Sequence, residues 1–212
     1  MVKKLTSCII LAAALISCKN GNQTSTTGEK DSIGAEVKTA QQVHTDTTAF
    51  DLNEISISTK ELGEFPYLSY PEGYNFNYEK KINTLNIKDL DKEYFAIDGK
   101  LIPIEGKSYK VRIEKSQENE KKFSSLYVSR YYDEKIVKLG GVCINNVAVN
   151  NQEIKRIGDK ELIENNYGFS IDYNLLDDIK TYIIRTETKQ IWIQMTLMDN
   201  EVGKLTVLEK KL

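Results

Sequence analysis

From Phe50 to the C-terminus, apolar residues recur with the periods of regular secondary structure, whereas the stretch before Phe50 shows no such period. Behind the turn residues Pro71-Glu72-Gly73, Tyr74, Phe76 and Tyr78 alternate with Asn75 and Asn77, which predicts a half-buried strand. Tyr94 to Ile97 runs into Asp98-Gly99, a two-residue hairpin signal, and Leu101 to Glu114 continues strand-like around Glu105-Gly106-Lys107, giving a hairpin or short meander. Val128, Tyr132, Ile136 and Leu139 fall at helical spacing. Ser124 or Ser125 caps the start of this helix and Gly140-Gly141 supplies the left-handed stop. Val142 to Val149 reads as a strand, and Asp159 to Asn165 as a short helix capped by Asp159.

The chain ends in three segments rich in Ile, Thr, Tyr and Val: Thr181–Thr186, Gln190–Met198 and Lys204–Glu209. In the middle segment Ile191, Ile193, Met195 and Leu197 share one face, leaving Trp192, Gln194 and Thr196 on the other. The pattern predicts an α+β domain: an antiparallel-rich sheet, one main helix and one short helix on one face, and a C-terminal three-strand meander. Trp192 is expected in the core beneath a helix; an exposed Trp192 would instead mark a binding surface.

Composition narrows the function classes. The 212 residues carry 29 Lys+Arg against 31 Asp+Glu, a net charge of −2 with no basic run, so nucleic acid is not an expected partner. The single histidine, His44, lies in the polar stretch before the domain, which leaves no Ser-His-Asp, Cys-His or multi-His metal arrangement to build. No glycine-rich phosphate loop, paired-cysteine spacing or Gly-x-Ser-x-Gly elbow occurs, and no cofactor or metal is expected. Asp177-Asp178, Glu118 and Glu120 read as solvated surface. A pair of carboxylates assembled from distant positions, acting on a glycosidic bond, stays open as the enzymatic alternative.

The N-terminus gives an address. Met1 to Cys18 holds two lysines, an apolar run from Leu5 to Ile16, a small residue and a cysteine, the layout of a signal peptide. The run is too short to cross a hydrocarbon core, which takes about 20 residues. Leu15-Ile16-Ser17-Cys18 resembles the bacterial lipobox, which implies acylation of Cys18 and cleavage just before it; an ordinary secreted protein cut near Ser17 is the alternative. Two or three acyl chains, each buried methylene contributing about 0.8 kcal/mol, make such an anchor stable. Removing residues 1–17 takes Lys3 and Lys4 and no acid, moving the net charge from −2 to −4. Cys8 departs with the signal and Cys18 carries lipid, so Cys143 has no disulfide partner; its apolar setting reads as a small buried hydrophobe.

Residues 18–50 are then the lipidated cysteine and a Thr-rich tether, too poor in large aliphatics to offset its ordering entropy and so expected to be disordered, and residues 51–212 are a single domain. Asp31-Ser32-Ile33 and Asp46-Thr47-Thr48 are similar to the acceptor triplet of a general periplasmic O-glycosylation system, which makes Ser32 and Thr47 candidate modification sites. The candidate binding surface is Tyr74, Tyr78 and Trp192, because aromatic faces stack on sugar rings or on a partner's side chains, although sheet packing alone demands the same placement.

Several segments together carry a family resemblance: Ser58-Thr59-Lys60-Glu61-Leu62-Gly63 with Phe65-Pro66-Tyr67, Pro71-Glu72-Gly73-Tyr74, Asp98-Gly99-Lys100-Leu101, Leu139-Gly140-Gly141-Val142, and Tyr182-Ile183-Ile184-Arg185 with Ile191-Trp192-Ile193-Gln194. With them the domain resembles the uncharacterised region ahead of the peptidoglycan-binding module in some OmpA-like outer-membrane lipoproteins of Gram-negative bacteria. The resemblance implies an envelope location and brings no catalytic residues. The sequence reaches Leu212 without that module, so direct attachment to the cell wall is not expected. The expected function is a lipid-anchored envelope protein, in the outer membrane, whose domain makes non-enzymatic contacts with protein or glycan; a structural spacer is a further alternative.

Overall fold

The computed structural model describes residues 50–77, 83–174, 177–198 and 201–212. Among these residues, and apart from two 3-10 turns (Leu52–Glu54 and Thr84–Asn86), seven antiparallel strands and three longer helical segments follow one another in the order β1 (Tyr74–Phe76), β2 (Ile87–Ile97), β3 (Lys100–Lys115), α1 (Ser125–Lys138), β4 (Val142–Val147), α2 (Asn151–Ile157), a π-helical turn (Lys160–Glu164), β5 (Ile179–Arg185), β6 (Lys189–Met198) and β7 (Val202–Lys211). The strands form one sheet in the order β1-β3-β7-β6-β5-β4, with β2 also paired to β3. The α+β class and the terminal β5-β6-β7 meander are as the periodicity predicts. No helix among the described residues is long and apolar enough to cross a membrane.

Local chemistry accounts for the two strongest elements. Asp98 and Gly99 take φ of 48° and 72°, the left-handed pair that a tight two-residue turn requires, and β2 and β3 pair from Ile97↔Lys100 outward. Helix α1 starts where the Ser124 hydroxyl accepts from the Tyr127 N–H, and ends where Gly140, at φ 83°, donates to Val137 O while Gly141 donates to Ile136 O. Its buried stripe, Val128, Tyr132 and Ile136, packs on the sheet face formed by Tyr109, Val111, Tyr182, Ile184, Ile193 and Val207, among others.

The opposite face is also buried, and its cover is a strand. Strand β3 runs straight through Glu105-Gly106-Lys107: β2 pairs with it from Lys100 to Tyr109, and β7 joins it at Lys107, so that both strands flank Ser108 and Tyr109 before the pairing passes to β7. A Cβ on Gly106 would lie 2.2 Å from Glu209 O, so only glycine lets the two backbones approach this closely. Beyond this point β2 bends over the sheet and packs Phe95 and Ile97 against Ile183, Trp192 and Leu208. The outer edge of β2 is closed by side chains: Gln194 Oε1 accepts from the Ala96 N–H (2.7 Å) and Gln194 Nε2 donates to Tyr94 O (3.1 Å), while the Tyr94 N–H donates to Tyr167 O (2.8 Å). Each of those groups, buried without a partner, would cost about 1–3 kcal/mol.

Three expectations need correction. Trp192 is fully buried, as expected of core, but the cluster around it is closed by Phe95 of β2 and by Phe50, Leu52 and Ile55, in and around the 3-10 turn Leu52–Glu54, instead of by α1 or α2. Cys143 is exposed: β4 is the edge strand and pairs only with β5, so the thiol has no second neighbour to cover it. The short helix near Asp159 is a single π turn in which Asp159 makes no side-chain cap. Ahead of it stands α2, capped by the Asn150 side chain accepting from the Glu153 N–H.

Candidate functional site

Of the sequence candidates, Cys18, Ser32, His44, Thr47 and Tyr78 lie outside the described residues. Tyr74 is 4% exposed and Trp192 not at all, so neither displays a ring face and, of the two readings open for each, the packing gives core and not binding surface. Sheet packing explains each: Trp192 meets Phe95 at 5.5 Å between centroids, and Tyr74 packs edge-on against Phe123 at 5.3 Å.

Three charged clusters invite a catalytic reading, and each is closed on itself. The first lies beneath β2. A bulge between Lys88 and Asp91 turns Asp91 inward, where the Ser108 hydroxyl donates to it at 2.7 Å. The Lys110 ammonium stands 3.0 Å from Asp91 and 2.6 Å from Glu93 and also donates to Asn166 O at 2.8 Å. Burial pushes the Glu93 carboxyl up to about 8 against the opposing pull of Lys110. Burial also pushes Asp91 up, but Ser108 and Lys110 outweigh it and hold that carboxyl below its usual value. Two acids driven apart in this way are the usual signature of an acid/base pair. Here the Asp91 and Glu93 side chains are 3% and 0% exposed and lie in neither of the two grooves described below, so their polar atoms face Lys110 and Ser108 instead of a substrate opening.

In the second cluster the Lys180 ammonium lies 2.8 Å from the Ser129 hydroxyl, the spacing of a Ser-Lys dyad. It is ion-paired with Asp133 at 2.8 Å, and an ion-paired ammonium has no lone pair with which to take a serine proton. Tyr182 also donates to Asp133. The nearby Cys143, exposed as a residue, has its thiol partly covered, and this partial desolvation pushes the thiol up, outweighs the opposing pull of the Asn145 backbone and works against thiolate formation. The third cluster joins Tyr67, Lys189 and Glu209: Lys189 donates to the Tyr67 hydroxyl (2.7 Å) and to Glu209 (3.1 Å), and Tyr67 donates to Glu209. It pins the Phe65–Tyr67 segment to the ends of β6 and β7. No group of acids, cysteines or histidines among the described residues has the arrangement of a metal site.

A different arrangement stands where β1, the segment after β3 and the first turn of α1 meet. They enclose a groove of about 970 Å³, near the upper end of the roughly 300–1,000 Å³ typical of small-ligand sites. Gly73, at φ 80°, ends the Pro-Glu-Gly turn, and its carbonyl accepts from the Ser116 N–H and from Asn119 Nδ2, both at 3.0 Å. Asn119 Oδ1 in turn accepts from the Lys121 N–H at 3.0 Å, which holds the Ser116–Lys122 wall in place. The buried Tyr74 supports the α1 side, its hydroxyl accepting from the Ser124 N–H at 3.0 Å. Tyr127 lies nearly parallel to Tyr74, at 28° and 5.8 Å, and remains 45% exposed.

The polar lining of this groove sets it apart. Asn75 and Ser116 are each 8% exposed, and neither side chain bonds another described residue. Lys121 and Lys122 are exposed and have no ion pair among the described residues. A second groove of about 710 Å³, between Ile57–Glu64 and Thr186–Lys189, has only exposed or half-buried lining and no such polar groups. Sequence reading missed Tyr127 and saw in the neighbouring wall only Glu118 and Glu120 as solvated surface. The available signal was an aromatic residue off the apolar stripe of α1, one turn from its cap. Comparison with protein-family models, with curated proteins and with solved structures returns no match.

Proposed function

We propose that this chain is a membrane-tethered, non-enzymatic binding module of the cell envelope, anchored through lipid on Cys18, with its ligand held in the groove between β1 and α1. One observation carries the reading. Asn75 and Ser116 are each 8% exposed, make no side-chain bond to another described residue, and both line a groove large enough for a ligand, whereas the Lys110 and Lys180 clusters are held by ion pairs and line neither groove. Their polar atoms are left to the water of the groove, and a ligand that bonds Asn75 and Ser116 takes the place of that water. A spacer has no use for such a groove. Anchorage and compartment rest on the signal-peptide pattern ending at Cys18 and on the resemblance to outer-membrane lipoproteins.

Lysine acylation in intact envelopes and on the purified full-length chain tests the reading. Occupancy slows modification of Lys121 and Lys122 in envelopes relative to the purified chain, while Lys138, with a side chain 72% exposed on α1, reacts equally in both. Equal rates for all three lysines refute it. Detergent-phase partition of the native protein, lost on Cys18→Ala, tests the anchor separately.

A further inference from the structure

The chemistry of the β1–α1 groove identifies the class of its ligand, and the inference rests on reading that groove as a binding site. We infer that it takes a neutral oligosaccharide, seated with one pyranose face on Tyr127 and its hydroxyl or acetamido groups on Asn75 and Ser116.

Three features converge. Tyr127 is stacked on Tyr74 at 5.8 Å, lines the groove and is 45% exposed, so part of its ring is free for a ligand. An aromatic face attracts the polarised C–H groups on the flat side of a pyranose as it does a cation, and the ring is held rigid, so little ordering is lost on binding. Asn75 offers two N–H donors and a carbonyl acceptor, and Ser116 a hydroxyl that both donates and accepts. A sugar hydroxyl has the same dual character and an acetamido group is the mirror of the Asn75 amide, so either satisfies both side chains. An aliphatic ligand would satisfy neither.

The charges in the lining favour a neutral ligand. Among the described lining residues Glu72 and Glu118 stand with Lys121 and Lys122, two of each sign, so this lining has no net charge with which to select an anion or a cation. Charged groups of both signs nevertheless bond hydroxyls strongly, the carboxylates as acceptors and the ammonium groups as donors. Hydrophobic side chains in the lining are confined to tyrosines, Tyr70, Tyr74 and Tyr127, which suits stacking and disfavours the aliphatic anchors of a peptide.

The test is calorimetric titration of the full-length chain in detergent micelles with cellotetraose, chitotetraose, trigalacturonate and a tetra-alanine peptide. Saturable binding of cellotetraose or chitotetraose is expected. Tyr127→Ala and Ser116→Ala each weaken it about tenfold, equivalent to roughly 1.4 kcal/mol. Both positions tolerate truncation, Tyr127 because it is half exposed and Ser116 because its structural bond is made by its backbone, and an unchanged melting midpoint confirms folding. Thr188→Ala, in the other groove, leaves the affinity unchanged. Absence of binding by both neutral sugars, a preference for trigalacturonate or the peptide, or affinity indifferent to Tyr127 and Ser116 overturns the inference. If Lys121 and Lys122 are still protected in envelopes after such a failure, the groove binds something other than a neutral sugar; if they are not, the binding reading fails as well.

Discussion

Glu93→Gln is the most informative single change outside the groove. In the native chain the Glu93 carboxyl is fully buried, with the Lys110 ammonium 2.6 Å away and Asp91 on the other side of that same lysine. One ammonium balances one carboxylate, so the three groups are neutral together only when Glu93 holds its proton. Its folded-state value of about 8 lies above the 4.5 of an exposed glutamate. Between those values the native state binds a proton that the unfolded chain has released, so stability falls as pH rises through that window and levels off above it. At about 1.4 kcal/mol per pH unit, the difference amounts to about 4–5 kcal/mol by pH 9. Glutamine copies the neutral carboxylic acid in size and has no proton to lose. The variant should therefore match the parent near pH 5 and exceed it by several kcal/mol at pH 9. The carboxylates held below their usual values, Asp91, Asp133, Glu153, Glu161 and Glu209, give stability that is present above about pH 4 and lost only on acidification, so they do not tilt this window. Urea unfolding followed by far-ultraviolet circular dichroism at intervals from pH 5 to 9 measures the difference. A parent whose stability is flat over that range, together with a variant weakened equally at every pH, would show that Glu93 is ionised and paired with Lys110, and the reasoning would be wrong.

Other outcomes follow from the packing. Gly106→Ala places a methyl 2.2 Å from Glu209 O where β7 joins β3, and should lower stability by about 1–3 kcal/mol, seen as a lower thermal midpoint; no change would mean that β3 and β7 separate there easily. Trp192 has no exposed surface, so its emission should be blue-shifted and unquenched by iodide, and quenching in the native state would show that β2 does not cover it. Trp192→Ala removes the largest fully buried side chain and should cost about 3–5 kcal/mol in urea unfolding; a cost below about 1 kcal/mol would mean the neighbouring Phe95 collapses into the space.

Several of these features were legible in the chain, because the forces that set them act over a few residues. The Asp98-Gly99 turn, the Ser124 cap, the Gly140-Gly141 stop and the strand alternation of Gln190–Met198 depend on φ/ψ preferences and on side-chain periods that neighbouring residues carry with them. Helix α2 had a signal of the same kind, Asn150 followed three residues later by Glu153, hidden only by its seven-residue length. Periodicity says that a strand has two faces but not what lies on each. Trp192, Gln194 and Thr196 read as the second face of the strand, with Trp192 expected beneath a helix, and it is β2 that crosses them instead. Its packing there, like the approach of Gly106 to Glu209, joins residues far apart in the chain. Cys143 failed in the opposite sense, since an apolar strand is buried only if it has neighbours and β4 is at the edge.

The candidate site divides in the same way. An aromatic, turn-rich segment around Tyr74 drew attention from sequence alone, yet Tyr74 proved to be the support and Tyr127, on α1, the exposed ring. Composition and local pattern determined the class of domain, its principal turns and helix, and the expected address at Cys18, because each of these depends on short-range chemistry. Tertiary structure alone decided which polar groups are spent on one another and which face an open groove, because burial and hydrogen-bond satisfaction are properties of groups that the chain brings together only when it folds.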